Sequence, residues 1–181
     1  MIVALIGPSA AGKSSVASRL VAAGEVELVP TYTTRPPRPE ERDNSGHHRF
    51  CDDGEFDALL ASGAFEATGR LPGLPYRYGL PILNHRISKP QLVMARASHV
   101  GTLRSLGQRT VVYQIEASAA VCRQRLGERG AGRADGSVRA SRHSADIAAG
   151  RCCADRVFRN NSTLDALATA VADALHTDRK V

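Results

Sequence analysis

The sequence has no tryptophan and few aromatics of any kind, 4% of its 181 residues. A stacking surface for nucleic acid needs aromatics set among basic residues, so that class is excluded although the formal net charge is +6. Lysine is also scarce: Lys13, Lys89 and Lys180 stand against a large, dispersed set of arginines. Guanidinium forks spread along a chain suit small anionic substrates as well as they suit a polyanion. No run approaches the ~20 consecutive apolar residues that a membrane helix needs. Cys51, Cys122, Cys152 and Cys153 have neither C-x-x-C spacing nor a histidine at a zinc-like distance, so they read as idle reduced thiols. The apolar start MIVALIGPSA has no basic n-region and reads as part of the fold. These absences lead to the expectation of one soluble, cytoplasmic domain, a monomer or homodimer, with neither nucleic acid nor membrane as partner.

What is present is an alternation of strands and helices. IVALI (2–6) is a continuous apolar run, as suits a strand buried on both faces of a parallel sheet. KSSVASRLVAAG follows, with Val16, Ala17, Leu20 and Val21 at helical spacing and Gly24 as a natural stop. VELV (26–29), QLVMARA (91–97), TVVYQIE (110–116) and RVF (156–158) read as further strands, with helices around 99–106 and from SAAVCRQRLGERG. AGRADGSVRASRHSADI is small, polar and basic, and reads as a mobile loop followed by a helix. The last helix is expected to start at Ser162, with Asp165 completing a capping box and Leu164, Leu167, Ala168, Val171 and Leu175 as its stripe. The pattern predicts an α/β fold with a parallel sheet flanked by helices.

Two motifs carry chemistry. GPSAAGKSS fits G-x-x-x-x-G-K-[ST] from Gly7 to Ser14, between an apolar strand and an amphipathic helix. In that setting backbone N–H groups and a helix N-terminus face phosphate oxygens. Ser9, Ala10, Ala11, Gly12, Lys13, Ser14 and Ser15 are the candidate ATP contacts, with Lys13 on the β/γ-phosphates and the Ser14 hydroxyl as the Mg²⁺ ligand. TTRPPRPEE then places Arg35 and Arg38 in a proline-stiffened frame. Guanidinium forks bind phosphate bidentately, so this pair suits an anion held opposite the γ-phosphate.

GPSAAGKSS, TTRPPRPEE, YRYG, RLGERG and VFRNNSTLDAL together resemble the guanylate kinases, in the same order and over nearly the whole chain. The resemblance implies a single kinase domain with a core (1–30, 87–126 and 146–181), a substrate-binding insertion (31–86) and a lid (127–145). It implies that Thr31, Arg35, Arg38, His48 and Tyr78 hold the acceptor phosphate, His48 replacing the family's tyrosine. It further implies lid arginines on the transferring phosphoryl group: Arg129 first, then Arg139 or Arg142.

The base-reading residues depart from that family. Glu66 stands one position early in FEATG, with Ala67 at the family's glutamate position. Leu80 follows the Tyr78–Gly79 pair where a hydroxyl residue is usual, and Arg96 falls about where an aspartate belongs. GAFEATGRLPGLPYRYGLP and LVMARASHV are instead similar to ribose 1,5-bisphosphate phosphokinases. That similarity implies a small phosphorylated acceptor, ribose 1,5-bisphosphate first, giving phosphoribosyl pyrophosphate, with Glu66 and Arg96 among its contacts. GMP conversion to GDP is the alternative, and a non-catalytic guanylate-kinase-like binding module a more distant one.

Overall fold

The computed structural model describes residues 1–38, 41, 46–84, 88–128 and 133–180. Its main sheet has five parallel strands in the order β2–β7–β1–β8–β9: β1 (Ile2–Ile6), β2 (Glu27–Val29), β7 (Gln91–Met94), β8 (Thr110–Glu116) and β9 (Arg156–Arg159). β1 is central and wholly buried. Its side chains divide by pleat: Val3 and Leu5 join one apolar cluster, Ile2, Ala4 and Ile6 the other. The first cluster takes Val16, Ala17 and Leu20 from α1 (Lys13–Ala22), and Leu167, Val171 and Leu175 from α7 (Leu164–Arg179). The second takes Val100 and Leu103 from α3 (Val100–Ser105) and also Leu80 and Leu83, which tie in the second sheet.

That second sheet lies wholly within 31–81. It runs β4–β3–β6–β5: β3 (Thr31–Thr33), β4 (His48–Phe50), β5 (Phe65–Arg70) and β6 (Arg77–Pro81). β3 pairs parallel with β4 and antiparallel with β6. Between β4 and β5 lies α2 (Asp53–Ala61), opened by a reciprocal capping box of Asp52 and Glu55.

Several expectations are corrected. Thr163, rather than Ser162, caps α7, its Oγ1 accepting from Ala166 N at 3.2 Å. Asp165 is drawn instead to Arg19 on α1, at 3.1 Å. Val21 leaves the α1 stripe and is 40% exposed. The segment read as a mobile loop and helix forms two helices, α5 (Arg133–Ser141) and α6 (His143–Arg151), with 131–132 outside the described residues. Alanine and arginine favour a helix there, and α5 packs against α6 and α4 (Ala119–Glu128). β7 ends at Met94, and a 3-10 turn (Ala97–His99) precedes α3. None of the four cysteines is disulfide-bonded.

Candidate functional site

The loop between β1 and α1 turns sharply because its glycines allow it. Gly7 has φ 127°, and a Cβ there would stand 2.2 Å from the Ile115 carbonyl oxygen. Gly12 has φ 111°, and a Cβ would meet Asn160 Nδ2 at 2.5 Å. Asn160 has a reason to be so close: it donates Nδ2–H to the Ala11 carbonyl at 2.9 Å. Its own backbone N–H bonds the Glu116 carbonyl at the end of β8, at 2.7 Å. Ala10 is also held in the left-handed region, φ 63°, and Arg125 of α4 donates to its carbonyl at 3.3 Å. The loop is thus fixed from α4 and from the residue after β9.

Lys13 folds back over this loop, donating to the Gly7 and Pro8 carbonyls at 2.8 and 2.7 Å. Ser14 Oγ has only a soft contact with Met94 Sδ, at 3.6 Å. No group of three or more histidine, cysteine or carboxylate ligands exists among the described residues. The Ser14 hydroxyl on the cavity wall is a hard oxygen donor, the ligand type that suits Mg²⁺.

A cavity of about 490 Å³ opens beside the loop. Its walls bring together Ser9 and Ala10 from the loop, Lys13 and Ser14 from the start of α1, Thr31, His48 and Tyr78 from the second sheet, Arg35 and Arg38 from the segment after β3, and Arg96, Arg139 and Arg142. Ala11 and Gly12 lie in the loop behind this wall, and Ser15 is in the first turn of α1. Glu66 is not on the wall; its Oε1 accepts from Leu83 N at 3.2 Å. Arg129 lies outside the described residues.

Arg35 is 5% exposed and clasped by Glu41 through Nη1–Oε2 at 2.7 Å and Nη2–Oε1 at 2.9 Å. Glu41 also accepts from the Arg38 backbone N–H at 2.9 Å. Burial works to raise the Glu41 carboxyl, but the Arg35 hydrogen bonds and the Arg38 N–H outweigh it, and its pKa falls to about 2. His48 Nδ1 lies 2.8 Å from Thr31 Oγ1. Burial, then the Arg35 charge, lowers the His48 pKa to about 4, so the imidazole is neutral at pH 7.

On the far wall Arg139 donates to Tyr78 Oη at 3.2 Å, joining α5 to β6. Arg142 and Arg96 both approach Asp146 of α6, at 3.6 and 3.9 Å. The Arg142 Nε is buried without a hydrogen-bond partner. Burial lowers the Arg96 pKa, with Asp146 opposing. Sequence reasoning missed Glu41, Asp146, Arg70 and His99 on or behind this wall, and Asn160 behind the loop. Glu41 had a signal, since it falls three residues after Arg38 in the same motif; the others had none.

A glycine-rich G-x-x-x-x-G-K-S loop at the carboxyl edge of a parallel sheet, with a cationic cavity between that sheet and an inserted one, defines an α/β fold of the P-loop type. The chain has the fold seen in guanylate kinases. It superposes on the solved guanylate kinase of Anaplasma phagocytophilum with a TM-score of 0.75, covering 98% of this chain and 85% of that one at 20% identity. No family model matches. Among curated proteins it is similar to the guanylate kinase of Alkalilimnicola ehrlichii, 49% identical over 59 residues, 32% of this chain and 29% of that protein. It is also similar to the guanylate kinase of Thermobifida fusca, 44% identical over 78 residues, 42% of this chain and 38% of that protein. The chain thus matches about a third of the length of these relatives.

Proposed function

We propose that the chain is an ATP-dependent kinase that transfers the γ-phosphoryl group to a phosphate of a small phosphorylated acceptor, a nucleoside monophosphate of the guanylate kinase kind. One observation carries the reading: the glycine-rich loop and two arginines, Arg35 buried and Arg38 half-buried, line the same cavity. The likeness to guanylate kinases supports the nucleotide acceptor ahead of the ribose 1,5-bisphosphate expected from the sequence.

The acceptor phosphate oxygen is already anionic, so transfer needs no strong general base. The work is positioning and charge neutralisation. Lys13 exchanges its loop carbonyls for β/γ-phosphate oxygens. Arg35 and Arg38, with Thr31, His48 and Tyr78, hold the acceptor phosphate. Arg139 and Arg142 reach the cavity from α5 and its end, suited to charge developing on the transferring group. Mg²⁺, held by Ser14 and the phosphates, would supply Lewis-acid neutralisation of those oxygens. Closure of the 127–145 segment over the acceptor is part of the same proposal, since water in the site would divert ATP to hydrolysis.

A second reading keeps ribose 1,5-bisphosphate, and Arg96 favours it. A cation stands on the cavity wall where a guanine edge would call for an acceptor, and Leu80 offers no hydroxyl. A coupled assay at saturating MgATP against GMP, other nucleoside monophosphates and ribose 1,5-bisphosphate tests both. GMP kcat/KM of ~10⁴ M⁻¹s⁻¹ or more is expected. Activity on the sugar bisphosphate alone would overturn the nucleotide reading. No turnover of any acceptor, with ATP binding retained or lost, would point to the non-catalytic module.

A further inference from the structure

Asp146 stands in the first turn of α6 and lines the cavity. It is the one carboxylate among the described lining residues; the cations lining the same cavity are Lys13, Arg35, Arg38, Arg70, Arg96, Arg139 and Arg142. Its closest cationic approaches, Arg142 Nη2 at 3.6 Å and Arg96 Nη2 at 3.9 Å, are both to Oδ1. Neither is a hydrogen bond. Among the described residues the Asp146 side chain accepts none. An ionised carboxylate can accept about four. The two arginines come from different elements: Arg142 one turn earlier on the chain, Arg96 from the turn after β7. They steady the carboxylate between α6 and the main sheet without consuming its acceptor capacity.

A carboxylate repels the phosphate that the surrounding arginines attract. What it attracts is an uncharged donor. We infer that Asp146 is a specificity-determining residue that accepts hydrogen bonds from N–H or O–H groups of the acceptor molecule, away from its phosphate. The inference rests on the kinase reading above. The donor is the exocyclic amine of a nucleobase or the 2-position hydroxyl of its sugar; both present the same chemistry to a carboxylate. A site that hydrogen-bonds such a donor discriminates against an analogue lacking it, because the buried acceptor is then unpaired.

The test compares wild type, Asp146→Ala and the isosteric Asp146→Asn with GMP, with IMP, which lacks the exocyclic amine, and with 2′-deoxy-GMP, which lacks a hydroxyl. For GMP, kcat/KM should fall about 10- to 100-fold in Asp146→Ala while the ATP KM stays unchanged. The fall should shrink to less than about 3-fold with the analogue missing the donor that Asp146 reads. Shrinkage with IMP assigns the base, and shrinkage with the deoxy nucleotide assigns the sugar. An equal fall for all three, or no fall, overturns the inference. Thermal unfolding checks that the variants fold, and Asp146→Asn, which keeps shape and one acceptor, gives a second measure if the alanine variant does not. The same series is run as Kd by calorimetry, so a chain that binds without turnover still tests Asp146 while the kinase reading fails. If wild type uses only ribose 1,5-bisphosphate, the nucleotide reading fails, and that acceptor and its 2-deoxy analogue take the place of the pair. Absence of both binding and turnover for every acceptor overturns both.

Discussion

Arg35 and Glu41 are joined at two points, 2.7 and 2.9 Å, in a pair that is 5% and 10% exposed at the side chains. Glu41 thereby fixes the plane of the guanidinium on the cavity wall. Removing one partner of such a pair leaves the other charge buried and uncompensated, which costs about 3 kcal/mol or more. Glu41→Ala should therefore lower the free energy of urea unfolding by about that amount. Arg35→Ala should cost less stability, because Glu41 then still has Arg38 beside it. Both should weaken acceptor use while leaving the ATP KM near wild type, and initial-rate kinetics with both substrates varied would show it. An effect confined to the ATP KM would move Arg35 to the other ligand.

Lys13 donates hydrogen bonds to the Gly7 and Pro8 carbonyls of the adjoining loop. Nothing in the apolar clusters depends on it. Lys13→Ala should leave the unfolding midpoint almost unchanged and reduce kcat on the order of 10³-fold or more, since it removes a charge aimed at the transferring phosphates. Near-normal turnover in the variant would end the assigned role.

The core was legible because buried parallel strands are written as uninterrupted apolar runs, and β1 and β8 match IVALI and TVVYQIE residue for residue. Short polar helices were not: α5 carries Val138 but no full apolar stripe, and its helix depends on neighbours distant in the chain. The α7 cap was misread by one residue because Ser162 and Thr163 both carry a hydroxyl, and only backbone geometry chooses between them. In the site, Lys13 and Arg35 were readable because each sits in a contiguous motif. Asp146 and Asn160 were not, since no local spacing marks an ion pair formed across 50 residues or a hydrogen bond across 149. Glu66 stands off the cavity wall, its Oε1 accepting from the Leu83 N–H of a segment 17 residues away, and no local spacing marks that bond.

Asn160 offers a check on how the phosphate loop is held. Its amide bonds the Ala11 carbonyl, and its backbone bonds Glu116. Asn160→Ala deletes the first bond and leaves the second. The loop carbonyl is then unpaired beside a gap, and the loop should sample geometries that bind phosphate poorly. An ATP KM raised about 10-fold, with the acceptor KM unchanged, is expected. Asn160→Asp should do no better, because a carboxylate cannot donate to a carbonyl. Equal changes in both Michaelis constants would show a general loss of structure instead.

Acid should act on this protein through His48 before it acts through Glu41. The His48 pKa falls from 6.5 to about 4, because burial and the Arg35 charge disfavour the imidazolium. In the unfolded chain the ring takes up its proton near pH 6.5; in the folded chain it does not until about pH 4. Over that window the unfolded state binds more protons, so folding stability declines as pH falls. The loss approaches a few kcal/mol, on the order of 3, at the lower end. Glu41 adds its own decline below about pH 4.5, since its pKa of about 2 means that the unfolded chain again protonates first. His48→Gln keeps a partner for Thr31 and removes the titration. Urea unfolding of the two proteins from pH 7.5 to 4 should show a steeper loss in the wild type, opening near pH 6.5. Parallel curves would mean that His47 and His99, whose pKa values burial also lowers, carry the acid sensitivity instead.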